Sequence, residues 1–239
     1  MHYVPIGLPF YIAFWILLGL VLVLIEIGIL QYVLQSMGVS RRYMFSLLLL
    51  SLLGSYVNIP VAEFPAEHMR SGELVDFYGV EYVVPVMVTQ PGTVLAVNVG
   101  GAIIPVVLSI YLMIRHRLYV SGLLAVAFMA VVVHKMAQPV QGLGIAVPIF
   151  IPPLLAALTA ILISRRRAGP LAYVAGSLGT LIGADLMNLG RIRGLGAPMA
   201  SIGGAGKFDG IFLTGLVAVL LAGVIAPWSR RPRREWRNW

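Results

Sequence analysis

Asp185 and Asp209 are the residues of this chain whose type and placement could do chemistry. Each stands at the end of an apolar run, with a glycine-rich stretch between them, so two consecutive helices would each carry a carboxylate at similar depth. Two carboxyl groups held close together cannot both ionise easily; one keeps a proton, and the pair can activate water. That is the logic of an aspartic hydrolase, with Asp185 and Asp209 as acid and base. The stretch that joins them, GTLIGADLMNLGRIRGLGAPMASIGGAGKFDG from Gly179 to Gly210, also holds Asn188, Arg191, Arg193 and Lys207. Asn188 follows Asp185 by three, so on an α-helix the two share a face away from Gly183. Six glycines from Gly190 to Gly206 predict a flexible backbone whose amides, with Arg191 and Arg193, could hold an anion. Asp209 is placed to cap the next helix. The competing account pairs the aspartates with Lys207, Arg191 or Lys135 as purely structural ions.

Other polar side chains fall inside apolar runs. Asn98 precedes Gly100, Gly101 and Pro105, and a helix starting at Pro91-Gly92 would carry it about two turns deep, with Pro105 kinking the helix beside it. His134 and Lys135 end a run that needs them to reach spanning length, to about Ala137. With Asn58, Gln138 and Gln141 these side chains cluster in one half of the projected bundle, which predicts a shared polar site open to that side. Asn98, His134, Lys135, Asn188, Arg191 and Arg193 are its substrate-contacting candidates. Glu26, between Ile25 and Ile27 in the first run, supports a second reading of a small-solute or ion-coupled transporter. There Glu26 and Asp185 are the proton or ion sites, and a helix broken by Pro148, Pro152 and Pro153 is the gate. A third reading is a membrane assembly subunit without chemistry.

The elements that must position these groups follow from composition. With 59% hydrophobic and 11% charged residues and a mean hydropathy of +0.94, the 239-residue chain has the make-up of a polytopic membrane protein. Apolar runs near the ~20 residues that cross a hydrocarbon core lie at about 7–37, 43–59, 92–113, 119–137, 142–164, 169–189 and 209–228. They predict an all-α bundle of about seven spans in one domain, residues 1–239. Arg41 and Arg42, Arg115 and Arg117, Arg165 to Arg167, and the arginines of the tail at 229–239 fall on alternate connections. By the positive-inside rule the N-terminus is outside and the C-terminus inside a plasma membrane. The acidic loop at 60–91 is then extracytoplasmic, and within it LVDF and VEYVV flank Tyr78-Gly79 as a hairpin. Gly179 and Gly183 form a GxxxG pair that admits a close helix neighbour, and such faces would also permit a homodimer. The net charge of +8 is assigned to orientation and to contact with lipid headgroups, with no nucleic acid as partner. No cysteine and no HExxH, GxSxG or Walker-type sequence is present, and neither a metal nor a cofactor is assigned.

The outline of two aspartates on adjacent apolar helices resembles intramembrane aspartic proteases, although Lys207 and Phe208 separate Gly206 from Asp209, and Ala184 stands before Asp185. The stretches AVNVGGAIIPVVLS (96–109), GADLMNL (183–189) and SIGGAGKFDGIFLTG (201–215) resemble a prokaryotic multi-pass membrane family classed as a domain of unknown function, type 1614. The resemblance covers most of the chain and brings no assigned chemistry with it.

Overall fold

The computed structural model describes residues 15–17, 19, 37, 41–65, 67–77, 80–90, 92–140, 144–192, 199–204 and 210–226. Of the predicted first span only a few positions fall within them, and Glu26, Gln141, Arg193 and Asp209 lie outside the described residues. Helices dominate: α1 Arg41–Gly54, α2 Ile104–Arg115, α3 Tyr119–Met136, α4 Ile151–Ile163, α5 Ala168–Thr180 and α6 Gly210–Ile225. Strands β1 Asn58–Phe64, β4 Thr93–Asn98 and β7 Met199–Ile202 form one small sheet in the order β1-β4-β7, antiparallel and then parallel. Two hairpins form separate two-stranded sheets: β2 Glu67–Phe77 with β3 Val80–Gln90, and β5 Gln138–Val140 with β6 Gly144–Ala146.

Helix α5 is the axis of the bundle. It is buried along almost its whole length and packs on α3, α4, α6 and α2. Small residues allow this. Ala156, Ala157 and Ala160 of α4 meet Ala172 and Ala175 of α5 and Ala218 and Ala222 of α6 in one buried cluster. Bulk returns on the other side, where Tyr173 meets Phe212 edge to face at 6.2 Å. The GxxxG pair acts as its spacing predicts. A Cβ on Gly179 would overlap that of Met129, and one on Gly183 would overlap the Ala130 carbonyl oxygen, so α3 rides directly on the α5 backbone. Gly176 likewise faces Gly215 of α6, where an added Cβ would sit 3.3 Å from the Gly215 Cα. These glycines are thus used inside the chain.

The two ends of the bundle differ. At one, Arg167 Nη1 donates to the carbonyls of His116 (3.0 Å) and Arg117 (3.4 Å), joining the α2–α3 and α4–α5 connections. His116 Nε2 lies 2.8 Å from the Met37 carbonyl oxygen, bringing the segment before α1 to the same end. The three-stranded sheet occupies the opposite end. The grouping of Arg115, Arg117 and Arg165 to Arg167 that the sequence implied is therefore a feature of the fold.

Several expectations are corrected. The fold is mostly helical rather than all-α. Residues 93–98 form a strand, so Asn98 lies at the end of β4 instead of two turns inside a helix. The interruption at Pro105 takes the form of a π-helical turn, Val99–Ile103, closed by Ile104 N–H to the Val99 carbonyl, ahead of a proline that has no N–H to donate. Pro152 and Pro153 stand at the first positions of α4, where a missing N–H costs nothing, so they start this helix and do not break it. Part of the predicted fifth span is instead the β5–β6 hairpin. The hairpin at Leu74–Val84 is present and longer than predicted, with Phe77 opposite Val80. Helix α3 continues through His134 and Lys135 to a cap at Ala137, as its length requires. Among the described residues two helical stretches are long and apolar enough to cross a membrane, Tyr119–Met136 and Arg165–Arg191.

Candidate functional site

At the sheet end the polar groups interlock. Asn58 opens β1 and Asn98 closes β4, directly opposite in register. Asn98 Nδ2 donates to the Ser55 carbonyl at 2.7 Å and to Asn58 Oδ1 at 3.0 Å, while its Oδ1 accepts from Gly101 N–H at 2.8 Å. Ser201 of β7 donates from Oγ to Asn58 Oδ1 at 2.6 Å. Ser51 Oγ donates to the Gly100 carbonyl at 2.9 Å. A strand end, a π turn and the C-terminal turn of α1 thus satisfy one another's orphan backbone groups through side-chain amides and hydroxyls.

Close approach makes this possible. A Cβ on Gly100 would overlap the Ser51 carbonyl oxygen and lie 2.5 Å from Ser55 N. Gly203, with φ at +96°, presses on the π turn so tightly that a Cβ would lie 2.5 Å from Ala102 N and 2.6 Å from Gly101 C. Glycine is required there by space and by backbone conformation alike.

Asp185 enters from the other side. Beyond Thr180 the α5 axis continues as a π turn, Leu181–Asp185, and a 3-10 stretch, Leu186–Arg191. Helical spacing of 3.6 residues no longer applies across it, and the predicted common face of Asp185 and Asn188 is replaced by two separate roles. Asp185 Oδ2 accepts from Gly203 N–H at 2.7 Å. Asn188 is fully buried and turns back, its Nδ2 donating to the Gly183 and Ala184 carbonyls at 2.9 Å each. Asp185 makes no ion pair with Arg191 or Lys135, both of which are exposed.

Three groups keep unused capacity. Asp185 Oδ1 has no hydrogen bond among the described residues. Asn188 Oδ1 and His134 Nδ1 are buried without a partner among the described residues. The Gly183–Ala130 contact lies between the segments that carry them: Asn188 binds the Gly183 carbonyl, and His134 stands one turn beyond Ala130 on α3. Buried orphans of this kind ask for an explanation beyond packing.

The chain also brings the start of α6 to this level. With Gly176 facing Gly215, and Leu181 sharing a buried cluster with Ile211, α5 and α6 run antiparallel. Gly210, the first residue of α6, then lies about one helical turn below Asp185. Of the candidates named from sequence, the structure joins Asn58 to Asn98 directly, and ties Asp185 to the same network through Gly203 and the π turn. His134, Lys135, Gln138 and Asn188 share that end without bonding to it. Ser51, Ser201 and Gly203 were not singled out by sequence reasoning; the signal available was a small polar residue ahead of paired glycines in SIGGAG, and Ser–x–x–Gly–Ser at the end of α1.

The three stretches at 96–109, 183–189 and 201–215 therefore meet in one place, through Asn98, Asp185 and Gly203. The model of a family described as protein of unknown function, DUF1614, matches residues 52–221, more than two thirds of the chain. The chain belongs to the DUF1614 family. The matched region of this DUF1614 protein runs from the last residues of α1 into α6, so it contains every member of the network except Ser51. No curated protein and no solved structure matches the chain.

Proposed function

We propose that this DUF1614 protein is a multi-pass protein of the cell membrane with about seven spans, N-terminus outside and C-terminus inside, and that its sheet end is a membrane-embedded hydrolytic site facing outward. Support for the membrane placement comes from helix faces that turn large apolar residues outward at helical spacing. Val107, Ile110, Tyr111 and Ile114 of α2, and Val120, Leu123, Leu124, Phe128 and Val131 of α3, are all exposed. In water such faces would be a large aggregating surface; in lipid they are the expected exterior. Arginines gathered at one end and the acidic hairpin joined to the other are consistent with the orientation.

Support for chemistry comes from one observation: among the described residues the Asp185 carboxylate is held by a single backbone N–H through one oxygen, and it lies about one helical turn from the start of α6, the helix that Asp209 precedes. In this reading Asp185 and Asp209 share one proton across a water molecule. The ionised partner removes a proton from the water as it attacks a peptide carbonyl, and the protonated partner delivers its proton to the leaving nitrogen. In this reading Asn98 and Asn58 hold the scaffold, and His134, Lys135, Arg191 and Arg193 contact the substrate. The test is cleavage of membrane-embedded peptides by the purified chain in proteoliposomes. Activity should vanish in Asp185→Asn and in Asp209→Asn; cleavage by either variant at the wild-type rate would exclude the dyad.

A transport reading draws on a separate observation. Ser109 of α2 and Ser177 and Thr180 of α5 have buried hydroxyls in the bundle interior without partners among the described residues, and a water-filled path would solvate them. Proton or cation flux in the same proteoliposomes, lost in Asp185→Asn and with no peptide cleaved, would favour it.

A further inference from the structure

We propose that the arginine end of the bundle is a binding site for an acidic phospholipid, its phosphate held among Arg115, Arg117, Arg165 and Arg166 and its acyl chains lying along α3; the inference rests on the membrane placement above but not on any chemistry at Asp185. Arg115 ends α2, Arg117 lies in the α2–α3 turn, and Arg165 and Arg166 belong to the 3-10 turn between α4 and α5. Those two turns would be independent loops but for Arg167, whose Nη1 bonds to the carbonyls of His116 and Arg117 draw them together. Arg117 has a left-handed backbone, φ +49°, an unfavourable conformation for a side-chain-bearing residue that is retained at this joint. The result is five exposed arginines on two joined turns.

None of them has a carboxylate partner among the described residues. Glu63 lies in β1, the acids of β2 and β3 lie in the hairpin, and Asp185 is tied to Gly203; all belong to the sheet end or to elements joined to it. Like charges gathered without counter-ions among the described residues call for an anion from outside, and planar guanidinium groups suit phosphate oxygens. The surface beside them identifies the anion's carrier. Ile114, Tyr119, Val120 and Leu162 flank the arginines and are 55–84% exposed. A soluble polyanion would use the arginines and leave that apolar rim bare. A phospholipid uses both, with Tyr119 at the headgroup level where tyrosines are favoured.

The test takes the full chain in a neutral detergent and measures retention of added phosphatidylglycerol against phosphatidylcholine by native mass spectrometry. Phosphatidylglycerol should be retained preferentially. Each arginine near an anionic headgroup contributes about fivefold, so Arg115→Gln/Arg165→Gln/Arg166→Gln should lose at least about tenfold of that preference, and the matching triple lysine variant should keep most of it. Arg167 is left in place because it closes the joint. Should the triple variant not fold, Arg165→Gln alone should still show a loss of about fivefold. Equal retention of the two lipids, an undiminished preference in the glutamine variants, or displacement of the lipid by millimolar inorganic phosphate would overturn the proposal. Release of the protein from membranes by alkaline carbonate would instead remove the membrane placement itself.

Discussion

Gly100→Ala is the substitution that tests how the sheet end is assembled. The residue lies in the π turn, where a Cβ would overlap the Ser51 carbonyl oxygen and come within 2.5 Å of Ser55 N and 2.9 Å of Ser55 Cα. All three atoms are backbone at the end of α1, so no side chain can swing aside. Ordinary contact begins near 3.4 Å, and α1 must retreat by roughly 1 Å. That movement stretches the Ser51 Oγ bond to the Gly100 carbonyl, now 2.9 Å, and the Asn98 Nδ2 bond to the Ser55 carbonyl, now 2.7 Å. Overpacking of this kind costs about 1–3 kcal/mol and each weakened hydrogen bond about 1 kcal/mol, for a total of about 3–5 kcal/mol. At about 2–4 °C per kcal/mol for a chain of this size, Tm should fall by on the order of 10 °C. Gly190→Ala is the control, since a Cβ there meets nothing within 4 Å, and it should stay within about 0.5 kcal/mol of wild type. Heating the detergent-purified proteins and following helix content by circular dichroism measures both. A Gly100→Ala protein that melts with Gly190→Ala would refute the close crossing of α1 and the π turn.

Three further substitutions probe other joints. Asp185→Ala should destabilise by about 1–3 kcal/mol by leaving the Gly203 N–H without its acceptor, whereas Asp185→Asn, which keeps an oxygen there, should melt near wild type; equal melting of the two would dissolve the Asp185–Gly203 link. Gly183→Ala should lower stability by about 2 kcal/mol, because the added methyl meets the Ala130 carbonyl group, and an unchanged Tm would contradict the seating of α3 on α5. Arg167→Gln removes two exposed hydrogen bonds and should shift Tm little, by about 1 kcal/mol or less. It should nevertheless speed tryptic cleavage at Arg115 and Arg117 in the loosened turn, and an unchanged cleavage rate would refute the clasp.

Much of the helical architecture was legible because apolar length and glycine spacing are local signals. The run from Tyr119 had to extend through His134 and Lys135 to reach spanning length, and it does. Gly179 and Gly183 announced a close helix neighbour, and α3 is there. The β2–β3 hairpin followed from alternation around two turn residues. The misread segments are those where an apolar sequence serves two masters. TVLAVN is as apolar as a span but β-branched and short, and only its pairing with β1 and β7 makes it a strand. Pro152 and Pro153 cannot by themselves say whether a helix is broken or begun there; the preceding hairpin decides it.

The candidate site divides in the same way. Sequence alone determined that this is a chain of apolar helices with arginines on alternate connections, and that Asp185 is a carboxylate at the end of one of them, because composition and one-dimensional spacing are sufficient for those statements. Which groups meet was decided by tertiary structure. Asn58, Asn98 and Ser201 lie far apart along the chain, and no periodicity relates them; they join because β4 pairs with β1 on one edge and β7 on the other. The partner of Asp185 is likewise the amide of Gly203, which no sequence pattern names, since every residue but proline carries one. Only the path of the backbone, turned there through a positive φ that glycine accommodates, brings that amide to the carboxylate.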